Sequence, residues 1–502
     1  MIRNAKRRIT ISTLYIGVEQ QELIEAVREA LTNSPALKVT FISDLLRGTR
    51  EPFPEPSTAT LLLTLVAEFP ERVEAYFYRS PKLRGLMEKI VPRRFDEGWG
   101  LWHCKWYGAD DEVIFTGANL SDSYFTNRQD RYYHLRNAPI ILSYLQSLLR
   151  LYSSYSYRLH PNPPPSASPH HLMPLARGGH PAHLGGNQKA ALLWREPSIH
   201  PRAFAAHAKA TLTAFQRSWR EMKRGRRIDI DTWIWPMVQA GVLGIQEEEQ
   251  GVDKVLRAAR DMEDAWRRAG QGQGGRVMVD LTSGYFGLYK KYKEAVLDSH
   301  AAYKIIAASP EVSSVPVVVP IVVSPHGPSL TTSPAHPQAN GFYQSRGVSH
   351  LIPEGYTLLE SRFHRDLVSR GRDWDERSQT GIELTEWNRP GWTYHAKGIW
   401  LSEMLPTQEQ QQPPAPPPPP PPKPFGTFIG SSNLSTRSLK LDVELSNMIL
   451  TTSPSLQKAL GAEVRGLRAH VGRVGESTWR LPERSVSWQA RALVALGVEG
   501  ML

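Results

Sequence analysis

Two stretches of this chain carry the same polar residues in the same order, and this repeat constrains the fold more than any other feature. Each copy has a histidine, a lysine two residues later, an asparagine, and an acidic residue eleven positions after the asparagine. The residues are His103, Lys105, Asn119 and Asp130 in the first copy, and His395, Lys397, Asn433 and Glu444 in the second. Agreement at four positions predicts two copies of one structural unit whose polar groups meet at a shared site.

The two copies differ in one spacing. The histidine and the asparagine are 16 residues apart in the first copy and 38 apart in the second. The difference of 22 residues equals the length of the segment 403–424, which is rich in Gln and Pro. We therefore expect this segment to be an insertion in the turn of a hairpin, in the solvated polyproline II conformation that such sequences favour.

Strand and helix patterns alternate along both halves of the chain. Alternating, β-branched segments predict strands, and segments with a 3.6-residue periodicity predict helices. The predicted strands are residues 9–17, 37–45, 73–78, 103–106, 112–115, 276–282, 303–308, 382–387, 393–401, 425–429 and 443–450, and the predicted helices are 20–31, 61–69, 140–155, 201–227, 252–269 and 289–300. This alternation is typical of α/β domains in which helices cover a sheet.

The same pattern suggests a division into domains. We expect a first domain at residues 1–160 and a second at 191–502, with the insertion 403–424 inside the second. Residues 161–190 are rich in Pro, Gly, Ser and His, and they are expected to be a flexible linker or loop.

Charge and cysteine content narrow the classes of function. The 502-residue chain has 60 Lys and Arg against 49 Asp and Glu, and its net charge of +11 favours phosphorylated substrates, anionic lipid or nucleic acid as partners. The single cysteine, Cys104, excludes an intramolecular disulfide and a Cys-rich zinc site. We expect no metal site at His170, His171, His180 and His183, because they lie in the low-complexity linker without convincing ligand spacing.

Apolar and basic segments bear on membrane contact. No apolar run reaches the roughly 18–20 residues that span a bilayer. Residues 312–325 are either a loop that enters the membrane interface or a buried segment, and the basic stretch 217–227 is either a membrane contact or, as we expect, a solvated helix end. The basic N-terminus runs at once into a strand, so either the protein is not targeted by a presequence or the chain begins after one.

The motifs carry a resemblance to known families. His103, Lys105 and Asp110 form an H-x-K-x(4)-D pattern, which resembles the phospholipase D superfamily, where two such motifs meet across a pseudo-twofold axis. The second copy has Ser402 where the aspartate would fall. Longer segments resemble the mitochondrial phosphatidylglycerophosphate synthases, and they are LRGTR at 46–50, GANLSDSYFTNRQDRY at 117–132, DTWIWP at 231–236, ASPEV at 308–312 and GWTYHAKGIWL at 391–401.

The resemblance implies a fold and a reaction. The fold would be α/β, with two phospholipase D-like domains, each a mixed β-sheet flanked by helices, that share one active site. The reaction would transfer a phosphatidyl group from CDP-diacylglycerol to sn-glycerol 3-phosphate through a phosphohistidine, without a metal or another cofactor. The expected location is peripheral, on the anionic surface of the mitochondrial inner membrane, and nucleic acid is not an expected partner.

Roles for individual residues also follow from the resemblance. His103 is the expected nucleophile and His395 the expected acid and base, although the pseudo-symmetry leaves the reverse assignment open. Lysine and asparagine side chains can stabilise the charge on phosphorus, and carboxylates can hold the second nitrogen of each imidazole. The expected members of these two groups are Lys105, Lys397, Asn119 and Asn433, then Asp130 and Glu444, with Asp110 completing the first motif.

Substrate binding is expected at a set of cationic and hydroxyl side chains. Its members are Arg47, Arg50, Arg128, Arg131 and Ser431. Arginine suits phosphate because it donates in a bidentate manner. For Arg47 and Arg50 the alternative is a solvated surface pair, and for Arg128 and Arg131 it is a structural ion pair.

Two other classes of function stay open at this point. The same site could use water as the acceptor, which would make the protein a phospholipase, a phosphodiesterase or a nuclease. The basic charge could also belong to a non-catalytic protein that binds anionic membranes or nucleic acid. The presence of both complete motif sets argues against a non-catalytic protein.

Overall fold

The structure is a computed structural model that describes residues 1–50, 56–83, 93–162, 172–173, 190–222, 229–269, 276–310, 351–404 and 422–495. Some sequence predictions fall outside these residues. They are the membrane-contact segment 312–325, the four linker histidines, most of the linker 161–190, and the central part of the insertion, 405–421.

The first half is built on a nine-stranded mixed sheet with the order β7-β5-β4-β1-β2-β3-β8-β10-β9. Strands β1, β2 and β3 are parallel, and the other neighbours are antiparallel. The strands, with the separate strand β6, are β1 Arg8–Ser12, β2 Lys38–Asp44, β3 Val73–Tyr78, β4 Trp106–Ala109, β5 Glu112–Thr116, β6 Arg128–Gln129, β7 Tyr132–Leu135, β8 Ser156–His160, β9 Leu172–Met173 and β10 Ala191–Trp194.

Helices flank this first sheet. Ser57 begins α3 with a capping box, in which its side chain accepts from the amide of Thr60 and the Thr60 hydroxyl accepts from the amide of Ser57. The helices are α1 Gln21–Asn33, α2 Leu45–Gly48, α3 Thr58–Glu68, α4 Asp122–Thr126, α5 Pro139–Ser154 and α6 Ala205–Glu221, with 3₁₀ turns at Ile2–Asn4 and Arg93–Trp99.

The second half repeats this plan on a sheet with the order β12-β11-β19-β18-β17-β13-β14-β15-β20. Its strands, with the separate strand β16, are β11 Thr232–Ala240, β12 Ile245–Gln246, β13 Arg276–Ser283, β14 Ala302–Ala308, β15 Ile382–Trp387, β16 Thr393–Tyr394, β17 Gly398–Met404, β18 Lys423–Gly430, β19 Val443–Thr451 and β20 Val471–Arg473. Its helices are α7 Glu247–Arg268, α8 Lys290–Leu297, α9 Leu351–Ser369, α10 Thr436–Lys440, α11 Pro454–Arg468 and α12 Trp488–Ala495, with 3₁₀ turns at Gly241–Leu243, Thr478–Arg480 and Pro482–Arg484.

The two sheets correspond strand by strand. The series β7-β5-β4-β1-β2-β3-β8 and the series β19-β18-β17-β13-β14-β15-β20 have the same order and the same parallel or antiparallel relation at every step. The predicted α/β fold, with two mixed sheets flanked by helices, is confirmed.

The hairpin that follows each histidine differs between the halves. Asp110 and Asp111 alone connect β4 to β5, whereas residues 405–422 connect β17 to β18. The outermost pair of the second hairpin is Glu403 with Lys423, so both ends of the predicted insertion 403–424 belong to strands.

Two boundaries differ from the sequence prediction. Strands β4 and β17 begin at Trp106 and Gly398, three residues after each histidine, because the histidine segments leave their own sheets and pair with the opposite half. Strand β10 pairs with β8, so the first sheet extends to Trp194, beyond residue 160. We propose that the domain division follows the two sheets, with the first domain reaching at least this strand.

The two halves share part of their apolar core. The core of the first half includes Val238 and Ala240 of β11 and Val443 and Leu445 of β19, whereas the second half has a separate core around β13, β14 and β17. Burial of this apolar surface holds the halves together at the point where the two motif sets meet. Among the described helices, none has the length and apolarity that crossing a membrane requires.

Candidate active site

Two short ladders of hydrogen bonds cross between the halves at the histidine segments. In the first ladder, the amide of His103 donates to the carbonyl of Val443 at 2.8 Å, and the amide of Val443 donates to the carbonyl of Leu101 at 2.8 Å. In the second, β16 pairs with β6, and the amide of His395 donates to the carbonyl of Gln129 at 2.8 Å. Each histidine therefore lies beside the strand of the other half that carries an acidic residue.

The side chains pair across the halves in the same way. His103 Nδ1 lies 2.9 Å from Glu444 Oε2, and His395 Nδ1 lies 2.6 Å from Asp130 Oδ2. All four side chains are buried. A carboxylate at Nδ1 fixes the orientation of each ring, so that Nε2 is the nitrogen that can react. At His395, Nζ of Lys397 also lies 2.8 Å from Nδ1 and 3.1 Å from Nε2.

Each lysine of the motifs folds back on its own histidine. Nζ of Lys105 donates to the carbonyl of His103 at 2.8 Å, and Nζ of Lys397 donates to the carbonyl of His395 at 2.8 Å. Burial is the main cause that lowers the pKa of Lys105 to about 8 and that of Lys397 to about 7. Both ammonium groups can therefore lose their charge near neutral pH.

The two imidazole–carboxylate pairs differ in their electrostatics. Burial lowers the pKa of both imidazoles, and Glu444 opposes this effect at His103, whereas Lys397 adds to it at His395. Burial also raises the pKa of Asp130 to about 6. Burial acts on Glu444 in the same direction, but the charge and the hydrogen bond of His103 outweigh it, and the pKa of Glu444 lies below its ordinary value.

The asparagines of the motifs have unused hydrogen-bonding capacity. Nδ2 of Asn119 donates to the hydroxyl of Tyr124 at 2.8 Å. The Oδ1 atoms of Asn119 and Asn433 are buried and have no hydrogen-bond partner within the described part of the chain. Buried amide groups without a protein partner are uncommon, and here they suit contacts with a bound substrate.

Arg47 and Arg128 stack on tyrosines close to the site. The guanidinium of Arg47 lies 4.3 Å from the ring centre of Tyr15, and that of Arg128 lies 4.4 Å from the ring centre of Tyr124. Tyr124 in turn meets His395 edge to face at 5.2 Å. The side chain of Tyr124 therefore lies between Arg128 and the imidazole of His395. The charge of Arg128 is one of the influences that lower the pKa of His395.

Arg50 and Arg131 are held in ion pairs. Arg50 donates to both carboxylate oxygens of Glu97, with Nε at 2.6 Å. Arg131 is completely buried and pairs with Glu463 through Nε at 2.8 Å. It also donates to the carbonyls of Lys397 and Phe428 and to the hydroxyl of Thr427. For Arg131 the geometry favours the structural alternative, whereas the ion pair of Arg50 with Glu97 is neither phosphate binding nor the solvated pair that was its alternative.

Asp110 does not join the other motif residues. It occupies the β4–β5 turn with φ of +51°, and its carboxylate accepts from the amides of Lys6, Arg7 and Arg8 at 2.9, 2.8 and 3.1 Å. The aspartate therefore ties the hairpin turn to the N-terminal segment. In the second half the equivalent turn holds the insertion, and Ser402 lies in the paired strands with a bulge beside it.

Ser431 lies inside the site and supports a carboxylate. Its hydroxyl donates to Oε2 of Glu444, and it is fully buried. Behind it lies Glu248, whose carboxylate accepts from Ser446 at 2.8 Å, and burial together with the charge of Glu444 raises the pKa of Glu248 to about 8. Glu248 was not predicted, because it lies nearly 200 residues from both serine and glutamate in the sequence.

Two further aspartates were also missed, and they position the segment before His103. The carboxylate of Asp44 accepts from the amide of Trp102 at 2.9 Å, and that of Asp442 accepts from the amide of Leu101 at 2.9 Å. Two features of the sequence could have indicated them. Asp442 lies two residues before Glu444, and Asp44 lies at the end of a predicted strand.

One group of metal-ligand types occurs among the described residues. His103, Asp442 and Glu444 offer atoms within 4.8 Å of one another. His103 and Glu444 already bond to each other, and Asp442 pairs with Arg437 at 3.3 Å. A guanidinium at this carboxylate opposes cation binding, so we assign the three residues to the hydrogen-bond network.

Comparison with known proteins shows which enzymes this chain is similar to. No family model matches the chain. It is 33% identical to the CDP-diacylglycerol–glycerol-3-phosphate 3-phosphatidyltransferase of Saccharomyces cerevisiae, over 93% of this chain and 78% of the relative. The mitochondrial enzymes of the same name from Gallus gallus and Homo sapiens are 30% and 31% identical, each over 99% of this chain and 79% of the relative.

A solved structure supports the same fold. The phosphatidylserine synthase of Haemophilus influenzae superposes with a TM-score of 0.62 at 16% identity, over 99% of this chain and 90% of that one. The similarities to these relatives confirm the resemblance that the sequence suggested. The chain belongs to the family of CDP-diacylglycerol–glycerol-3-phosphate 3-phosphatidyltransferases.

Proposed function

We propose that this chain transfers a phosphatidyl group from CDP-diacylglycerol to sn-glycerol 3-phosphate, which gives phosphatidylglycerophosphate and CMP. The observation that carries the proposal is the pair of buried imidazole–carboxylate contacts, each made across the halves, in one site. The names of the relatives support the donor and the acceptor.

The proposed reaction has two steps at one phosphorus. Nε2 of His103 attacks the phosphorus of the phosphatidyl group, the bond to CMP breaks, and His395 gives its proton to the leaving oxygen. The hydroxyl of glycerol 3-phosphate then attacks the phosphatidyl-histidine, His395 takes the proton of that hydroxyl, and the phosphorus–nitrogen bond breaks. After the second step His103 is free again and His395 again carries its proton, so the reaction needs no reactant besides the donor and the acceptor.

The electrostatics support His103 as the covalent residue. Phosphorylation at Nε2 with a proton on Nδ1 leaves a positive ring, and the lowered pKa of Glu444 keeps an anion beside that ring. His395 must exchange a proton in both steps. Because burial lowers its pKa in the empty site, we propose that the anionic diphosphate raises that pKa when the donor binds.

Charge stabilisation is proposed for the lysines and the asparagines. In related cases each preorganised donor contributes about 3–4 kcal/mol to the transition state. Lys105 and Lys397 would bind the oxygens on phosphorus, and the Nδ2 groups of Asn119 and Asn433 would donate to the remaining oxygens, with that of Asn119 giving up its bond to Tyr124. We propose Arg47 and Arg128 as ligands of the substrate phosphates, since both lie beside the site on aromatic rings.

Location is proposed from the relatives. The enzymes from Gallus gallus and Homo sapiens are named as mitochondrial. We propose that this chain works in the mitochondrion, bound peripherally to the inner membrane, where a lipid donor is available. Nucleic acid is not a proposed partner.

The test is an acceptor assay. CMP release from CDP-diacylglycerol should be slow without glycerol 3-phosphate and rise when it is added, whereas equal rates would identify a hydrolase. His103→Ala and His395→Ala should each abolish turnover, and near-normal synthase activity in His103→Ala would refute the two-histidine mechanism. His134→Ala, which removes a partly exposed histidine paired with Glu112, is the matched control and should stay active.

Trapping the intermediate separates the two assignments of the histidines. A donor labelled in the glycerol backbone should leave acid-labile label on the protein after a rapid quench. The label should remain when His395 is replaced by a residue that still permits the first step, and it should be absent in His103→Ala. Label on His395 in place of His103 would reverse the assignment.

A further inference from the structure

A broad apolar groove opens between the halves, away from the motif residues. Helices α5 and α6 form one wall, and β11 and α7 form the other. The cavity has a volume of about 1110 Å³. Its lining is mainly apolar and includes Ile140, Trp219, Trp235, Met262 and Leu450.

The groove contains an uncovered strand edge. Strand β12 pairs only with Gln239 and Ala240, and no described strand pairs with residues 232–238 on that side. Trp233 and Trp235 on this strand are 41% and 46% exposed, and Pro236, directly after Trp235, removes one backbone donor. Exposed apolar edges are usually covered or charged because they attract other apolar surfaces.

Further exposed apolar side chains surround the same opening. Ile140, Met222 and Met262 line the groove and are 51%, 46% and 47% exposed. With Trp235, which also lines the groove, and Trp233, two residues before it on β11, they account for five of the eleven large hydrophobic residues that are exposed in the described part of the chain. A concentration of this kind indicates a surface that is covered when the protein works.

Basic residues border the apolar surface. Arg220 and Lys254 line the groove, and Arg220 donates to Glu247 at 2.7 Å. In the sequence, residues 217–227 contain six Lys and Arg and one acid. Tryptophan and methionine beside basic side chains match a bilayer, where hydrocarbon lies beneath anionic headgroups.

The groove is separate from the catalytic residues. Glu444 and Leu450 lie on the same face of β19, six residues apart, which corresponds to about 20 Å along a strand. The catalytic end and the apolar end of β19 therefore share one face of the sheet and are separated along the strand. Substitutions in the groove can change surface binding while they leave the site intact.

We propose that this groove and the basic end of α6 dock the protein on an anionic bilayer. The inference rests on the proposed function, because a lipid donor resides in the bilayer that the groove would contact. Trp233, Trp235, Met222 and Met262 enter the interface, and Arg220 and Lys254 face the headgroups. The basic side chains at the border, Arg220 and Lys254, favour an anionic membrane over a second copy of this chain, whose net charge is +11, as the occupant.

Vesicle flotation tests this proposal with the full-length chain. The parent should float with phosphatidylcholine vesicles that contain phosphatidylglycerol and bind pure phosphatidylcholine vesicles weakly. The double variant Trp235→Ser, Met262→Ser should bind the anionic vesicles at least about tenfold less tightly, since two apolar side chains lose their burial. Trp488→Ser is the matched control, because Trp488 is 75% exposed on α12 and does not line the groove.

Activity on a dispersed short-chain donor distinguishes docking from misfolding. The double variant should keep the parent's rate there and its thermal midpoint, while its rate on vesicles falls. Unchanged vesicle binding, or an equal loss in Trp488→Ser, would overturn the proposal, as would a lipid-free dimer that the double variant abolishes. Failure of the proposed function would look different, since the chain would then bind vesicles through the groove and form no phosphatidylglycerophosphate.

Discussion

At the scale of single residues, Asp130 and Glu444 make the same kind of contact, but their pKa values are shifted in opposite directions. Both contact Nδ1 of a histidine from the other half. The pKa of Asp130 is raised to about 6 and that of Glu444 is lowered, so a proton is easier to place on the His395 side of the site. This difference fits a division in which one imidazole is phosphorylated and the other exchanges protons.

Neutral replacement of these acids should slow catalysis without unfolding the protein. We expect Glu444→Gln and Asp130→Asn each to lower kcat by roughly 10²–10⁴-fold, because an amide cannot stabilise a positive imidazole as a carboxylate does. Single-turnover rapid-quench measurements would locate the effect of Glu444→Gln in formation of the covalent intermediate. Glu112→Gln is the control, since Glu112 pairs with His134 in a more exposed contact, and equal losses there would refute the assignment.

The buried lysines should impose an upper pH limit on the reaction. The pKa of Lys397 is lowered to about 7 and that of Lys105 to about 8, so the free enzyme loses positive charge as the pH rises through this range. We therefore expect kcat/KM for the lipid donor to fall between about pH 7 and 9, because this parameter reports the free enzyme. A profile that stays flat to pH 9.5 would contradict these lowered pKa values.

Residue spacing predicted that the two motif sets meet. It could not predict the residues elsewhere in the chain that pair with the neighbouring arginines and aspartates. The eight repeated motif residues come together because one structural unit occurs twice. The ion pairs of Arg50 with Glu97 and Arg131 with Glu463 join residues 47 and 332 positions apart, and nothing local in the sequence marks them. Asp110 was grouped with the motif by its spacing alone, whereas its contacts are with the N-terminal segment.

At the scale of elements, the second hairpin should not need its insertion. Glu403 pairs with Lys423, so the strand ends that the insertion connects are already adjacent. We expect replacement of residues 405–421 by a short Asn-Gly turn to keep activity within about threefold and to leave the thermal midpoint nearly unchanged, because the entropy of closing a connection changes only slowly with its length. Circular dichroism melts measure the thermal midpoint, and the acceptor assay measures the activity. Loss of folding would show that the segment has a structural role.

Strand alternation predicted the central strands of both sheets, because each of them carries its own local pattern, but it missed β8, β10, β11 and β20 and the helix α9. The crossed ladders at Trp102 with Val443 and at β6 with β16 did not appear in that analysis. They are only one or two residue pairs long, too short to leave a periodic signal. For this reason the prediction extended strands over His103 and His395, where the structure has irregular backbone.

At the scale of the whole molecule, Arg131 is a principal contact between the halves. It belongs to the first half and donates to Glu463 and to the carbonyls of Lys397 and Phe428 in the second. We expect Arg131→Met to lower the free energy of unfolding by about 3–5 kcal/mol, because a buried pair loses one partner. Urea denaturation measures this change.

A surface ion pair provides the comparison for Arg131. Arg480 and Glu476 form an exposed pair within the second half, with side chains 76% and 81% exposed. We expect Arg480→Met to change the free energy of unfolding by less than about 1 kcal/mol. Equal effects of the two substitutions would mean that the contact between the halves does not depend on Arg131.

The crossed pairing also has a consequence in time. Glu444 is 341 residues after His103, so a ribosome adding roughly 5–20 residues per second needs about 17–70 s to synthesise the partner of the first imidazole. His395 finds its carboxylate already made, but the shared core is complete only when β19 has emerged. A growing chain therefore remains chemically inert toward lipid until synthesis is nearly finished, and reactivity appears at the same moment as the final packing.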